Sequence, residues 1–482
     1  MTVCQEAHER ADLLKDIPQK LSSELHAIED MLTLSPELLK KVTAHFITEL
    51  DKGLSKAGGN IPMIPGWVMD FPTGKEKGDY LAIDLGGTNL RVVLVKLDGN
   101  RSFQTIQSKY ALPSDMRTST ADQLFGFIAK CLKTFVEQEF MDGRTDPLPL
   151  GFTFSYPATQ YSIDTGVLQR WTKGFDIDGV EGHDVVPMLQ EAIKNIGVPI
   201  KVVALINDTT GTLVASRYTD PETVMGLIFG TGCNGAYYDV VKDIPKLEGK
   251  VDSDVDQNGP MAINCEYGAF DNELVVLPRT KYDVIIDKQS PRPGQQSFEK
   301  MISGYYLGEV LRLILLDLAE EKKLIFQGQD LSKLKEEFIM DTSFPAKIEE
   351  DPYESLTEVE ALFKEVLNLN TTFNERAVIS RIAQKIGERS ARLSVCGIAA
   401  ICKKRGYKTG HCAADGSVFH KYPGFKERAA RALRDIFEWD DSVKEDPITI
   451  TAAVDGSGVG AAVIAALTEQ RLKKGLSVGL KK

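Results

Sequence analysis

No apolar run in this 482-residue chain is long enough to cross a bilayer, so no membrane-spanning helix is expected. Cysteine is sparse and unpatterned. Seven residues, an odd number without a CxxC pair, exclude a disulfide framework and point to free thiols in a reducing compartment. Cys233 and Cys265 fall in segments discussed below, and they read first as small buried apolar residues. The six histidines show no metal-ligand spacing. No GxxxxGKS/T phosphate loop is present, so any phosphate site must be of another design. Positive charge is in deficit. Lys and Arg number 57 against 69 Asp and Glu, and the net charge of −12 excludes a general nucleic-acid or anionic-membrane binder. It does not exclude ATP, whose phosphates are held by local cations and backbone N–H groups. Residues 1–16 are polar and charged, unlike a signal peptide, so a cytoplasmic location is expected.

An apolar share of 43% and a charged share of 26% are those of a globular protein. The length exceeds what one hydrophobic core supports, so two domains or lobes are expected. Residues 18–54 have helical periodicity, with Ile28, Met31 and Leu32 on one apolar face and Leu38, Leu39, Val42, Phe46 and Leu50 on another. Residues 58–74, with three prolines and four glycines, read as a long connection without regular structure. Strands are expected at 80–84, 91–97, 148–154, 201–206, 224–229, 236–241 and 448–451. Helices are expected at 121–140, 208–216, 298–323, 378–404 and 460–473, with a charged, loop-rich stretch at 331–355. The fold class is α/β. A strand, a glycine-rich turn and a second strand occur at 80–97 and again at 224–241, which suggests an internal duplication.

Four segments carry the chemistry. In Leu81-Ala-Ile-Asp84-Leu85-Gly86-Gly87-Thr88-Asn89-Leu-Arg91, the glycines allow close backbone approach and positive φ, Thr88 and Asn89 add donors, and Arg91 adds charge. Asp84 ends an apolar strand, where it could hold a Mg²⁺-bound water. The segment reads as a phosphate-binding hairpin more than as a plain turn. Gly230-Thr231-Gly232-Cys-Asn234-Gly235 matches GxGxxG. A strand pattern follows it instead of a helix, which rejects a dinucleotide fold and leaves a second phosphate hairpin. Asp455-Gly456-Ser457-Gly458-Val-Gly460 suits either close helix–strand packing or a helix N-terminus at a nucleotide. In Asn207-Asp208-Thr209-Thr210-Gly211, Asp208 follows an apolar strand and opens a helix. Alone it reads as an N-cap. Ser155, Thr172-Lys173, Asn234, Glu266 and Glu299 are scattered short polar groups of the kind a sugar site assembles. Singly, each is as readily a surface or capping residue, and Glu299 suits a first helical turn.

These segments resemble the eukaryotic hexokinases of the single-unit fungal type, within the superfamily of sugar kinases, actin and heat-shock chaperone ATPases. The resemblance runs from about 46 to 472. It implies a two-lobed actin-like ATPase (ribonuclease H-like) fold with a small and a large lobe around a cleft. The implied boundaries are 1–72 with the large lobe, 73–208 small, 209–453 large, 454–472 returning to the small lobe, and 473–482 a C-terminal tail. The implied reaction is ATP-dependent phosphorylation of the 6-hydroxyl of glucose, mannose and fructose, the first step of glycolysis, with Mg²⁺ carried by ATP and with no direct protein ligand.

The resemblance assigns Asp208 as general base, with Lys173 and Arg91 offsetting charge. It assigns Ser155, Thr172, Lys173, Asn207, Asp208, Asn234, Glu266 and Glu299 to the sugar. Asp84, Leu85, Gly86, Gly87, Thr88, Asn89, Lys109, Thr231, Gly232, Gly304, Thr342, Ser343, Asp415, Gly416 and Ser417 go to the nucleotide, and waters of the metal go to Asp84 and Asp208. A monomer or weak homodimer is expected. Two departures stand out. Residues 5–15 lack the basic, serine-bearing character of fungal relatives, and Val454 stands where relatives tend to be acidic. Competing readings are an actin-like or chaperone-like ATPase, a kinase for an N-acylated hexosamine, and a catalytically silent regulatory protein.

Overall fold

The computed structural model describes residues 12–140, 146–172, 174–440 and 442–481. Its strands are β1 (Ile64–Pro65), β2 (Lys77–Leu85), β3 (Asn89–Asp98), β4 (Phe103–Ala111), β5 (Leu148–Thr153), β6 (Ala158–Thr159), β7 (Val167–Leu168), β8 (Ile200–Ile206), β9 (Thr223–Phe229), β10 (Cys233–Val240), β11 (Pro260–Asn264), β12 (Gly410–Asp415) and β13 (Ile448–Ala452). One sheet has the order β4-β3-β2-β5-β8 and the other β1-β11-β10-β9-β12-β13; β6 and β7 pair separately. Apart from the edge strand β1, the two large sheets share one plan. Three antiparallel strands form a meander, and two further strands lie parallel to its first member. The duplication suggested at 80–97 and 224–241 therefore extends to five strands in each half.

The parallel part of the smaller sheet, β2, β5 and β8, is buried on both faces, while the antiparallel edge strand β4 is largely exposed. Along β2, Leu81, Ile83 and Leu85 enter one apolar cluster, while Tyr80 and Ala82 enter the other. Helices Ala121–Glu139 and Val185–Asn195 cover the first face, and Ala461–Lys473 crosses β2, β5 and β8 on the second. Burial of each large apolar side chain contributes about 1.5–3 kcal/mol. Helix Asp208–Thr219 leaves the end of β8 and packs on β9 and β10, carrying the chain from one sheet to the other. No helix among the described residues is long and apolar enough to cross a membrane.

Three sequence expectations need correction, and a fourth gains detail. The single helix expected at 298–323 is Ser297–Ile302 and Gly304–Leu316, followed by a π turn at Asp317–Glu321. Ser303 is extended (φ −79°, ψ 152°). The break lets the N–H groups of Gly304 and Tyr305 donate to the carbonyls of Gly230 (2.8 Å) and Thr231 (3.3 Å). Both helices are buried nearly all round, so the apolar pattern runs across the break. Residues 58–74 do include regular structure, since Ile64–Pro65 pairs with β11 as an edge, where proline's missing N–H is tolerated. Residues 331–355 contain a helix, Ser343–Glu350. The helical stretch 18–54 is two helices, Gln19–Leu32 and Pro36–Leu54, the second capped by Ser35 with proline at its first turn.

Candidate active site

Strands β2, β5 and β8 are parallel, and so are β9, β12 and β13. Their carboxyl ends therefore deliver side chains to one edge of each sheet, the usual ligand edge of an α/β sheet. The smaller sheet places Asp84, Ser155 and Asn207-Asp208 there. The larger places Gly230-Thr231, Asp415-Gly416-Ser417 and Asp455.

Asp208 is not the N-cap. Asn207 is: its Oδ1 accepts from Thr209 N at 2.8 Å, and Asp208 is the first helical residue. The Asp208 carboxylate uses Oδ1 for Thr209 N (2.8 Å) and Thr209 Oγ1 (3.2 Å); Oδ2 takes no part in these bonds. Glu266 stands close enough to feel its charge. Glu266 adopts a left-handed backbone (φ 55°) after β11 and is held by two asparagines. Its Oε1 accepts from Asn264 Nδ2 (2.8 Å) and Asn234 Nδ2 (3.2 Å), while Asn234 Oδ1 accepts from Glu266 N (2.9 Å) and Gly235 N (2.7 Å). Burial pushes Glu266 up to about 6. Its hydrogen bond from Asn264 opposes this, and the charges of Asp208 and Glu299 add to it. Glu299 accepts from Cys233 N at 3.0 Å, and burial raises its pKa too. Cys233 and Cys265 are buried, and burial pushes both thiols well above their ordinary value.

Ser155 is half-buried two residues after β5, between Phe154 and Tyr156, which pack with Trp171 and Phe175. Thr172 is half-buried at the edge of the same cluster. Lys173 lies outside the described residues.

In the first glycine turn, Gly86 N donates to Asn89 O (2.9 Å), and Thr88 O accepts from Leu112 N (2.9 Å). Neither Gly86 nor Gly87 has positive φ, so the expectation that φ demands glycine at 87 does not hold. What glycine leaves there is room: a Cβ on Gly87 would meet no atom within 4 Å. Thr88 and Asn89 are exposed, and Asn89 Nδ2 donates to Thr88 Oγ1. Leu85 is buried in the core, so only its main chain faces the turn. Arg91 donates to both oxygens of Asp455 at 2.7 Å and lies 3.9 Å from Asp84. Its guanidinium therefore links two of the chemistry-bearing segments. Lys109, on β4, is exposed and in register with Arg91.

The second turn meets the remaining nucleotide candidates. A Cβ on Gly304 would press on Thr342, whose Oγ1 donates to Gly304 O at 2.6 Å. Gly416 has φ +114° and abuts Phe229 and Gly230. Ser343 is exposed and donates through Oγ to Asp341 (2.7 Å), and Asp415 Oδ1 accepts from Gly416 N (2.7 Å). The third glycine segment takes the packing alternative: Cβ atoms on Gly456 or Gly460 would collide with the backbone of Thr212 or Gly211.

Three residues of this region were given no role in the sequence reading. Asn264 sits two residues before Glu266 on the same motif, and that spacing could have signalled it. Asp455 was visible as the acid before a glycine cluster. Arg117, which donates twice to the Gly87 carbonyl, had no local signal. Among the described residues, no group of three or more His, Cys, Asp or Glu could hold a metal ion directly.

Comparison with known proteins agrees with this arrangement. Two family models, both described as hexokinase, match residues 24–218 and 224–467. The chain is 71% identical over 474 residues to Hexokinase-2 of Candida albicans, covering 98% of each chain. It is 65% identical over 473 residues to Hexokinase-1 of Saccharomyces cerevisiae, covering 98% of this chain and 97% of that one. A solved hexokinase from Schistosoma mansoni, complexed with glucose, is similar with a TM-score of 0.80 at 33% identity, covering 93% of this chain and 99% of the other. Agreement over nearly the whole length, on a duplicated sheet plan with its polar groups at the strand ends, makes this chain a member of the hexokinase family.

Proposed function

We propose that Asp208 is the general base in the ATP-dependent hexose phosphorylation that this hexokinase performs, and that the two glycine turns hold the ATP phosphates. The observation carrying the proposal is Asp208 itself: a carboxylate at a strand end, relieved of capping by Asn207, with Oδ2 outside the bonds to Thr209 and Glu266 nearby. The sugar's 6-hydroxyl oxygen attacks the γ-phosphorus, the bond to the ADP oxygen breaks and its electron pair leaves with ADP, and the hydroxyl proton passes to Asp208. Proton transfer comes late, as the oxygen becomes bonded to phosphorus.

Ser155, Thr172, Lys173, Asn207, Asn234, Glu266 and Glu299 hold the sugar hydroxyls, since amides and carboxylates match groups that both donate and accept. Gly86 to Asn89, Thr231 and Gly232 face the phosphates. Lys109, Gly304, Thr342, Ser343 and Asp415 to Ser417 face the rest of the nucleotide, and Lys173 and Arg91 offset charge. Asp84 and Asp208 offer hard carboxylate oxygens, a donor set that fits the waters of Mg²⁺. Bound with ATP, that ion supplies charge neutralisation across the β- and γ-phosphates.

The sugar set is drawn from both sides of the crossing near 208, so a lobe division at 72, 208 and 453 and closure upon the sugar follow. Closure keeps water from replacing the sugar as acceptor. Glucose, mannose and fructose are the substrates, while an N-acetylated hexosamine is excluded by its bulk. We place the enzyme in the cytoplasm as a monomer or weak homodimer.

Asp208→Asn tests the assignment. It keeps shape and polarity but cannot accept the proton. At saturating glucose, kcat is expected to fall by roughly 10²–10⁴, with melting temperature and glucose binding near wild type. A fully active Asn variant removes Asp208 from the chemistry.

A further inference from the structure

Arg117 belongs to the short turn Met116–Thr118, between the antiparallel meander and the helix Ala121–Glu139. Its guanidinium donates to the carbonyl oxygen of Gly87 from Nε at 3.0 Å and from Nη2 at 2.7 Å. Beyond the chain neighbours, nothing is within 4 Å of the place where a Gly87 Cβ would stand, so no side chain packs against the turn at that point and the Arg117 bonds act on the peptide directly. The peptide is planar and trans, which makes the N–H of Thr88 point opposite to the Gly87 carbonyl. Fixing one fixes the other. A cation on the carbonyl also polarises the peptide and strengthens the Thr88 N–H as a donor.

The other end of Arg117 is anchored in the sugar-side loop. Its main-chain carbonyl accepts from Asp176 N at 2.7 Å, and its guanidinium carbon lies 5.9 Å from the Phe175 ring centre. Phe175 stacks on Trp171, with centroids 5.5 Å apart, and its N–H donates to Thr172 O at 3.1 Å. Two residues further, Ser119 O accepts from Asp178 N at 3.0 Å. The segment around 117 is thus tied along 175–178, and one side chain reaches from there to the phosphate turn.

We infer that Arg117 is a positioning residue for phosphoryl transfer: it locks the Gly87–Thr88 peptide plane so that the Thr88 N–H faces the ATP phosphates, using the loop that carries Thr172 as its anchor. The inference rests on reading Gly86 to Thr88 as the phosphate turn.

Arg117→Met removes both donors and keeps an unbranched stem against Phe175. The expected result is a KM for ATP raised roughly tenfold, in keeping with loss of charge-assisted hydrogen bonds, and a lower kcat. Glucose Kd, measured by calorimetry without nucleotide, should stay within about twofold of wild type, as the donors removed serve the phosphate turn. Arg117→Lys retains the cation and one donor, and is expected to recover part of the ATP KM. It also carries the test should the Met variant fail to fold. Wild-type ATP KM and kcat in a folded Met variant, or in the Lys variant alone, overturn the lock, and so does an equal loss of glucose and ATP binding. Gly87→Val, assayed alongside, separates the two readings. If it too leaves ATP use intact, the phosphate-turn reading fails. If it impairs ATP use while Arg117→Met does not, only the lock is rejected.

Discussion

The two glycine turns occupy the same position in the two sheets, between the first and second strands of each meander, yet their glycines do different work. In the first turn a Cβ on Gly87 would meet nothing within 4 Å beyond its chain neighbours, and φ is not positive. In the second, a Cβ on Gly232 would come within 2.7 Å of Glu299 Oε2, and one on Gly235 would enter the Tyr267 ring. The first turn leaves open space beside Gly87. The second keeps glycine because its own protein crowds it, with the start of helix Gly304–Leu316 bonded to Gly230 and Thr231. Two turns that look alike in sequence therefore differ in their surroundings: a β-carbon at Gly87 would find open space, and one at Gly232 or Gly235 would collide with the protein itself.

The sharpest way to break that contrast is Gly87→Val. We expect kcat/KM for ATP to fall by about 10²-fold or more, the scale of a misplaced reactant, with an unchanged melting temperature and unchanged glucose binding. A large drop in melting temperature would show that packing, and not approach of a ligand, needs the glycine.

Gly235→Ala probes the opposite half. Overpacking against Tyr267 is expected to cost about 1–3 kcal/mol of stability, read as a lowered chemical-denaturation midpoint, while the KM for ATP of the folded fraction stays near wild type. Unaltered stability would remove the packing account of the second turn.

The smallest expected effect exploits a difference in titration, because the second turn carries Asn234 and through it Glu266, whose pKa burial lifts to about 6. With Glu266 in the proposed sugar role, the carboxylate is an acceptor for sugar hydroxyls above that pH, and below it the acceptor is lost. Glucose affinity is therefore expected to fall a few-fold between pH 7 and pH 5, and Glu266→Gln to flatten the profile. Stability of the sugar-free enzyme runs the other way. A raised carboxylate pKa means that the folded state binds the extra proton between the ordinary value and about 6. Glu266's contribution is thus most favourable below that window and is lost as pH rises through it. Calorimetric titration at both pH values, with thermal melts in parallel, checks both signs.

Much of the fold was legible locally. Apolar alternation with a glycine turn marked β2–β3 and β9–β10, and the observed bounds differ from the expected ones by a few residues. The helix Ala121–Glu139 is announced by Thr120 and Gln123, which form its capping box. What failed did so for tertiary reasons. The break at Ser303 leaves the apolar period intact, so nothing in residues 297–316 marks it. Ile64–Pro65 becomes a strand only because β11 offers it an edge. Asn207 and Asp208 are both good caps, and the pattern could not choose between them.

Sequence by itself determined the things that neighbours along the chain decide: which segments are strands, where a turn needs glycine, which polar residues follow an apolar strand, and, through the density of family motifs, the kind of reaction. Only tertiary structure decided how those pieces serve one another. Arg91 finds Asp455 across 364 positions, Glu266 is shared by Asn264 and Asn234, and Arg117 reaches Gly87. Backbone preferences act over a few residues and leave a readable period or motif. A hydrogen bond between distant segments depends on where folding brings two side chains, and it leaves no pattern in either stretch that could announce the other.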